Sequence, residues 1–202
     1  MGKGKYFSAK RLTGIAILLA LVIVLQLLGG YFKIGATSLS FVLVPIVLGG
    51  ILYGMWAGAI LGFAFGFITL MFGVTGADPF TSILLQQQPV LTVLLCLIKG
   101  TAAGLAAGAI YKLLAKKNEY VGLFTAAAIA PIVNTGLFIL SMICFFQETL
   151  TANFVAEGTS VYYFLFIGCA GINFLVELAI NLIAAPAIYR VIKAVGGKKN
   201  RY

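Results

Sequence analysis

One lysine stands alone in an apolar run long enough to cross a bilayer. Between Pro89 and Lys112 the only charge is Lys99. At about 1.5 Å of rise per residue it lies roughly 15 Å below Pro89, near the middle of a hydrocarbon core about 30 Å thick. An ammonium at that depth is costly unless it faces protein or water, so it marks a site or a pathway. Asn173, Glu177 and Asn181 recur every fourth residue in another apolar run, which stacks them on one helix face. By the same rise Asn173 lies about 16 Å below Tyr162, with Glu177 one turn deeper. Asn134, in a third run, lies roughly 20 Å from Gln147 and falls in the same layer. Lys99, Asn134, Asn173 and Glu177 are therefore the candidate binding residues for a small polar ligand. The competing account is an ion pair between Lys99 and Glu177, with asparagines satisfying backbone groups, because unpaired buried charge is expensive and asparagine often serves as interhelical glue.

Catalysis fits poorly. The chain has no histidine, which removes Ser-His and Cys-His arrangements and the HExxH metal site. No glycine-rich loop ends in Lys-Ser/Thr, so the chain does not hydrolyse ATP by itself. Cys96, Cys144 and Cys169 are odd in number, lack metal-ligand spacing and lie in apolar runs, where they read as buried filler rather than as a disulfide or zinc framework. No catalytic residue, metal or cofactor is assigned. Asp78-Pro79 reads as the start of a turn, and Gln86, Gln87 and Gln88 as a solvated loop over the presumed pocket.

The elements that must hold these residues follow from composition and charge. Of 202 residues 62% are hydrophobic and 9% charged, against about a quarter charged in a soluble domain. The predicted fold class is an all-α integral membrane protein, one domain over residues 1–202. Six helices are expected at about 12–28, 39–53, 55–72, 90–115, 120–146 and 160–189. The first run is longer than a signal peptide's apolar region and no A-x-A site follows it, so it counts as a mature helix. The net charge of +9 forms no stripe for nucleic acid, because the basic residues gather at helix ends. With both termini in the cytoplasm, the inner segments carry four basic residues at the N-terminus, three at Lys112–Lys117 and five at the C-terminus, twelve of the fourteen. Three of the five acids, Asp78, Glu148 and Glu157, fall in the two outer loops. This charge bias orients the chain in the cell membrane, with the polar pocket of the fourth, fifth and sixth helices opening outward.

Small residues predict the packing. Gly50, Gly54, Gly58, Gly62 and Gly66 recur every fourth residue, and Gly100, Gly104 and Gly108 do so in the fourth helix, so both ridges admit close helix neighbours. Ala16 and Ala20 leave one face of the first helix shallow enough for a partner helix, either within the monomer or from another chain. No internal repeat is evident, which weakens an inverted-repeat carrier.

This layout resembles the substrate-binding S component of an energy-coupling factor (ECF) transporter. The matching features are the six-helix arrangement, Ala16-x-x-x-Ala20, the run Leu43-Val44-Pro45-Ile46-Val47-Leu48-Gly49-Gly50 continuing through Gly58, Gly62 and Gly66, and Asn134-Thr135. The resemblance implies capture of a vitamin or related micronutrient from outside by the last three helices and outer loops. It implies docking through the first helix, at Ala16 and Ala20, onto a transmembrane coupling subunit (T) driven by two cytoplasmic ATPases, and toppling in the bilayer to release cargo. The family motif carries over only Ala16 and Ala20; the four candidate binding residues rest on depth. The segments Gly76-Ala77-Asp78-Pro79-Phe80 and Pro131-x-x-Asn134-Thr135 look most like pantothenate-type or unassigned members. Lys99 suits a carboxylate such as pantothenate's through a charge-assisted hydrogen bond. The rival class is a self-sufficient channel or secondary carrier in which Lys99 and Glu177 line the path; a purely structural membrane subunit is the third.

Overall fold

The computed structural model describes residues 9–30, 33–34, 37–38 and 41–195. Lys3, Lys5, Lys198, Lys199 and Arg201, which bear on the orientation, and Leu39, where the second helix is expected to start, lie outside the described residues. The described residues are helical almost throughout. Helix α1 (Ala9–Gly29) leads to a small antiparallel ladder of β1 (Lys33–Ile34) and β2 (Thr37–Ser38), in which Lys33 pairs Ser38 and Ile34 pairs Thr37. Helices α2 (Leu43–Tyr53), α3 (Met55–Thr75), α4 (Pro79–Gln87), α5 (Pro89–Leu114), α6 (Glu119–Phe145) and α7 (Gln147–Asn153) follow. A single turn, α8 (Val161–Tyr163), passes through a π-helical segment, Phe164–Cys169, into α9 (Gly171–Val195). Among the described residues five helical stretches are long and apolar enough to cross a membrane. The sixth expected span, α2, has 11 residues, about 17 Å at helical rise and well short of the hydrocarbon core.

The two glycine ridges pack against each other. A Cβ built at Gly58 would stand 2.5 Å from the carbonyl oxygen of Gly104; at Gly62 it would strike the carbonyl of Gly100, and at Gly66 that of Cys96. Rising numbers on α3 meet falling numbers on α5, so the two helices run antiparallel, backbone on backbone. Any side chain at these positions would force them apart. Gly54 serves the chain path instead. At φ 90° it makes the turn from α2 to α3, a conformation L side chains rarely adopt.

Contacts at the helix ends divide the bundle into two halves. The Arg11 guanidinium donates to the carbonyl of Tyr53, and Gly108 abuts Met55. Lys193 pairs with Glu119 at 2.8 Å, and the rings of Tyr120 and Tyr189 stack 4.4 Å apart. The starts of α1, α3 and α6 and the ends of α2, α5 and α9 therefore share one end, which also carries Lys112, Lys116, Lys117 and Arg190. At this end α6 is started by Asn118, whose side chain accepts from the backbone N–H of Tyr120 and Val121. Just inside it lies a dry cluster of Val47, Ile51, Ala107, Leu123, Ala126 and Ala185. The ladder, α4 and α7 occupy the opposite end.

Two segments expected as polar loops are short helices. Asp78-Pro79 opens α4, with Pro79 in the first turn, and Phe80, Thr81 and Leu84 turn inward while Gln86 and Gln87 stay exposed. Helix α7 buries Thr149 and Leu150. Both form because a few apolar residues at helical spacing find a shared cluster, Phe80 and Leu84 meeting Leu150 and Phe146; tertiary burial outweighs the weak propensity of a polar segment. Cys96 and Cys169 are buried as expected, whereas Cys144 is exposed on the outer surface of α6.

Candidate functional site

The four residues singled out by depth share one cavity. It is lined by Lys99 from α5, Asn134 from α6, and Asn173 and Glu177 from α9. Asn134, Asn173 and Glu177 are 5–6% exposed, which is deep burial for such groups. Asn181, on the same face of α9, is buried one turn beyond and does not line the cavity. Its amide donates to the carbonyl of Glu177 at 2.9 Å, and Asn173 donates likewise to the carbonyl of Cys169 at 3.1 Å. Each asparagine thereby commits one of its two amide N–H groups to its own helical segment. Asn134 has a buried Oδ1 with no hydrogen-bond partner, a desolvated acceptor facing a polar space.

Lys99 is held by aromatic faces. Its Nζ lies 5.2 Å from the ring centroid of Phe138 on α6 and 6.0 Å from that of Phe65 on α3. Cation–π contact stabilises a partly desolvated ammonium by roughly 0.5–2 kcal/mol and leaves its hydrogens available to an acceptor. Gly100, next along α5, lies against α3 through Gly62, so the same close approach that joins the helices brings Phe65 to the lysine.

The cavity draws on more elements than the three inferred from sequence. Helix α1 contributes Gln26, whose amide donates to the hydroxyl of Thr69 on α3 at 3.3 Å; Thr69 in turn donates to the Phe65 carbonyl at 3.0 Å. Helix α4 contributes Phe80 and Thr81, and Asp78 just before it joins them, with the Thr81 hydroxyl donating to the Asp78 carboxylate at 2.5 Å. Asp78 is thus part of the site's wall as well as the start of a helix. Gln26 and Thr69 carry a readable signal, as polar residues inside apolar spans, but both are neutral and the signal is faint beside a charge. Thr135, beside Asn134, also lines the cavity.

Helix α4 forms the lid. Phe80 is 3% exposed and packs at 5.9 Å from Phe138 and 4.8 Å from Phe154. Of the three glutamines, Gln88 does the tying, donating to the Phe145 carbonyl at 2.9 Å and fixing the α4–α5 junction to the end of α6. The partly open cavity measures about 100 Å³, against roughly 300 Å³ or more for a pocket holding a drug-sized ligand. The π-helical turn ends beside the cavity, which Ala170 and Asn173 line, and Gly171 admits the close approach of the Phe166 carbonyl, which a Cβ there would strike.

Ala16 and Ala20 lie elsewhere. Both are exposed on the outer face of α1, flanked by the exposed Ile17, Leu21 and Val24.

No curated protein matches this sequence. The sequence pattern defining the ECF transporter substrate-specific component matches residues 10–189, which contain every residue of the cavity. The chain belongs to the family of substrate-specific components of ECF transporters.

Proposed function

We propose that the cavity captures a small water-soluble vitamin bearing a carboxylate, with a pantothenate-like anion as the leading candidate. The observation that carries this reading is Lys99: a cation set between the rings of Phe65 and Phe138, in a cavity that also holds the unpartnered acceptor of Asn134. A carboxylate takes the ammonium's hydrogens in a charge-assisted bond, and hydroxyl or amide donors of the ligand meet Asn134, Asn173 and Glu177. Phe72 and Phe80 supply apolar walls for a carbon skeleton.

The basic end of the bundle faces the cytoplasm in this reading, by the charge rule, with both termini inside and the lid end outside. The ligand enters from outside and the chain delivers it with a T subunit and two ATPases, meeting the T subunit through Ala16 and Ala20. The dry cluster around Leu123, Ala126 and Ala185 favours capture over a self-sufficient channel or carrier, because an ion path needs polar lining through that half of the bundle.

Thermal unfolding of the purified chain against a panel of water-soluble vitamins, pantothenate included, tests this for wild type and Lys99→Met. A ligand at 100 times its Kd adds about 2.7 kcal/mol. The expected result is one vitamin that stabilises the wild type and not the variant. A shift unchanged by Lys99→Met would remove the carboxylate argument, and silence across the panel would remove the vitamin reading.

A further inference from the structure

The membrane-facing side of α5 and α6 leaves an open apolar groove of about 660 Å³, separate from the cavity. Its α5 wall is Ala102, Leu105, Ala106 and Ala109, and its α6 wall includes Ile132 and Gly136. The hollow exists because small side chains line it: a Cβ added at Gly136 would meet no atom within 4 Å. In a bilayer such a hollow fills, since an empty one forfeits dispersion contacts along its whole lining.

Two features identify what fills it. First, the α5 face continues from Leu105 and Ala109 to Lys112 at helical spacings of four and three, Lys116 follows in the turn just past the helix end at Leu114, and both lysines are exposed. Glu119, the acid at the start of α6, is engaged by Lys193 at 2.8 Å and does not neutralise them. Secondly, the dimensions agree. From Ala102 to Lys112 the helix rises about 15 Å, half of a 30 Å hydrocarbon core, so a headgroup at the lysines sets its acyl chain along the groove to the bilayer midplane.

We propose that this groove is a binding site for an anionic phospholipid, with one acyl chain between α5 and α6 and the phosphate held by Lys112 and Lys116. The site rests on the membrane placement of the chain and is independent of the vitamin cavity.

The chain carries its own reporter. Trp56 is its sole tryptophan, 64% exposed and adjacent to Met55, which lines the groove. The full chain, reconstituted in phosphatidylcholine, is titrated with phosphatidylglycerol or phosphatidylcholine carrying brominated acyl chains, and quenching of Trp56 is read at equal mole fraction. Two lysines near the surface predict a preference for the anionic lipid of roughly tenfold or more. Lys112→Gln with Lys116→Gln brings the preference close to one. Gly136→Phe, which fills the groove and leaves both lysines in place, lowers it likewise. Arg190→Gln, at the same end on α9, leaves it unchanged. Equal quenching by the two lipids in wild type would overturn the proposal, as would a preference that survives both groove variants. So would an equal loss in Arg190→Gln, which would mean diffuse attraction to a basic end. Circular dichroism and thermal unfolding of Gly136→Phe check that its fold is kept.

Discussion

Replacing Gly62 by alanine places a methyl group where α3 and α5 touch. The new Cβ would strike the carbonyl oxygen of Gly100, with that carbonyl's carbon at 2.5 Å and the Thr101 nitrogen at 3.0 Å. These atoms are backbone and cannot rotate away, so the helices must separate. Restoring ordinary contact takes about 1 Å of separation, which forfeits a quarter to a half of the dispersion energy of the contacts that open. The loss spreads along the ridge, because Gly58 on Gly104 and Gly66 on Cys96 belong to the same rigid pair. Overpacking of this kind costs about 1–3 kcal/mol, and the backbone contact places this case near the top of that range. Alanine recovers about 1 kcal/mol through helix propensity, leaving a net loss of about 2 kcal/mol. For a chain of this length that is a fall in Tm of roughly 4–8 °C. Affinity for the proposed ligand falls with it, since Phe65 and Lys99 flank the contact. Gly136→Ala is the matched control: its methyl meets nothing within 4 Å, so propensity alone acts and Tm holds or rises. Thermal unfolding of the two variants in one detergent makes the comparison. A Gly62→Ala protein as stable as wild type would refute the ridge as the contact that sets the α3–α5 distance.

Two further outcomes are expected. Asn173→Leu and Asn181→Leu alter the same helix face at similar burial, yet only Asn173 lines the cavity. If Asn173 bonds the proposed ligand, loss of one neutral hydrogen bond predicts roughly 3–10-fold weaker binding of that ligand for Asn173→Leu and no change for Asn181→Leu, read by titration calorimetry. Ala16→Leu with Ala20→Leu changes exposed positions, so Tm and vitamin binding of the isolated chain stay at wild-type values while co-purification with a T subunit and its ATPases is lost; retained assembly would remove Ala16 and Ala20 from the docking face.

Fixed periodicities carry much of this protein into view before any folding. Spans of apolar residues, glycine at every fourth position and basic residues gathered at particular helix ends each follow from local rules of rise, sterics and charge. Together they lead to a membrane bundle of this family and to Lys99, Asn134 and Asn173 in one layer, with Glu177 one turn deeper. Depth along a helix is a one-dimensional quantity, which is why spacing alone yields it. Rotation about the helix axis, and the identity of the neighbour, are not. Only the tertiary structure decided that the two glycine ridges face each other, that Phe65 and Phe138 hold the lysine, and that Gln26 and Thr69 from the first and third spans reach the same cavity. It also turned two polar segments into helices, because Phe80 and Leu150 found a common apolar cluster that neither segment contains by itself. The π-helical turn before α9 was likewise not legible, since no local pattern in Phe164–Cys169 announces it. Contacts between residues far apart in the chain depend on where every other element lies, so they exist only once the whole bundle has closed.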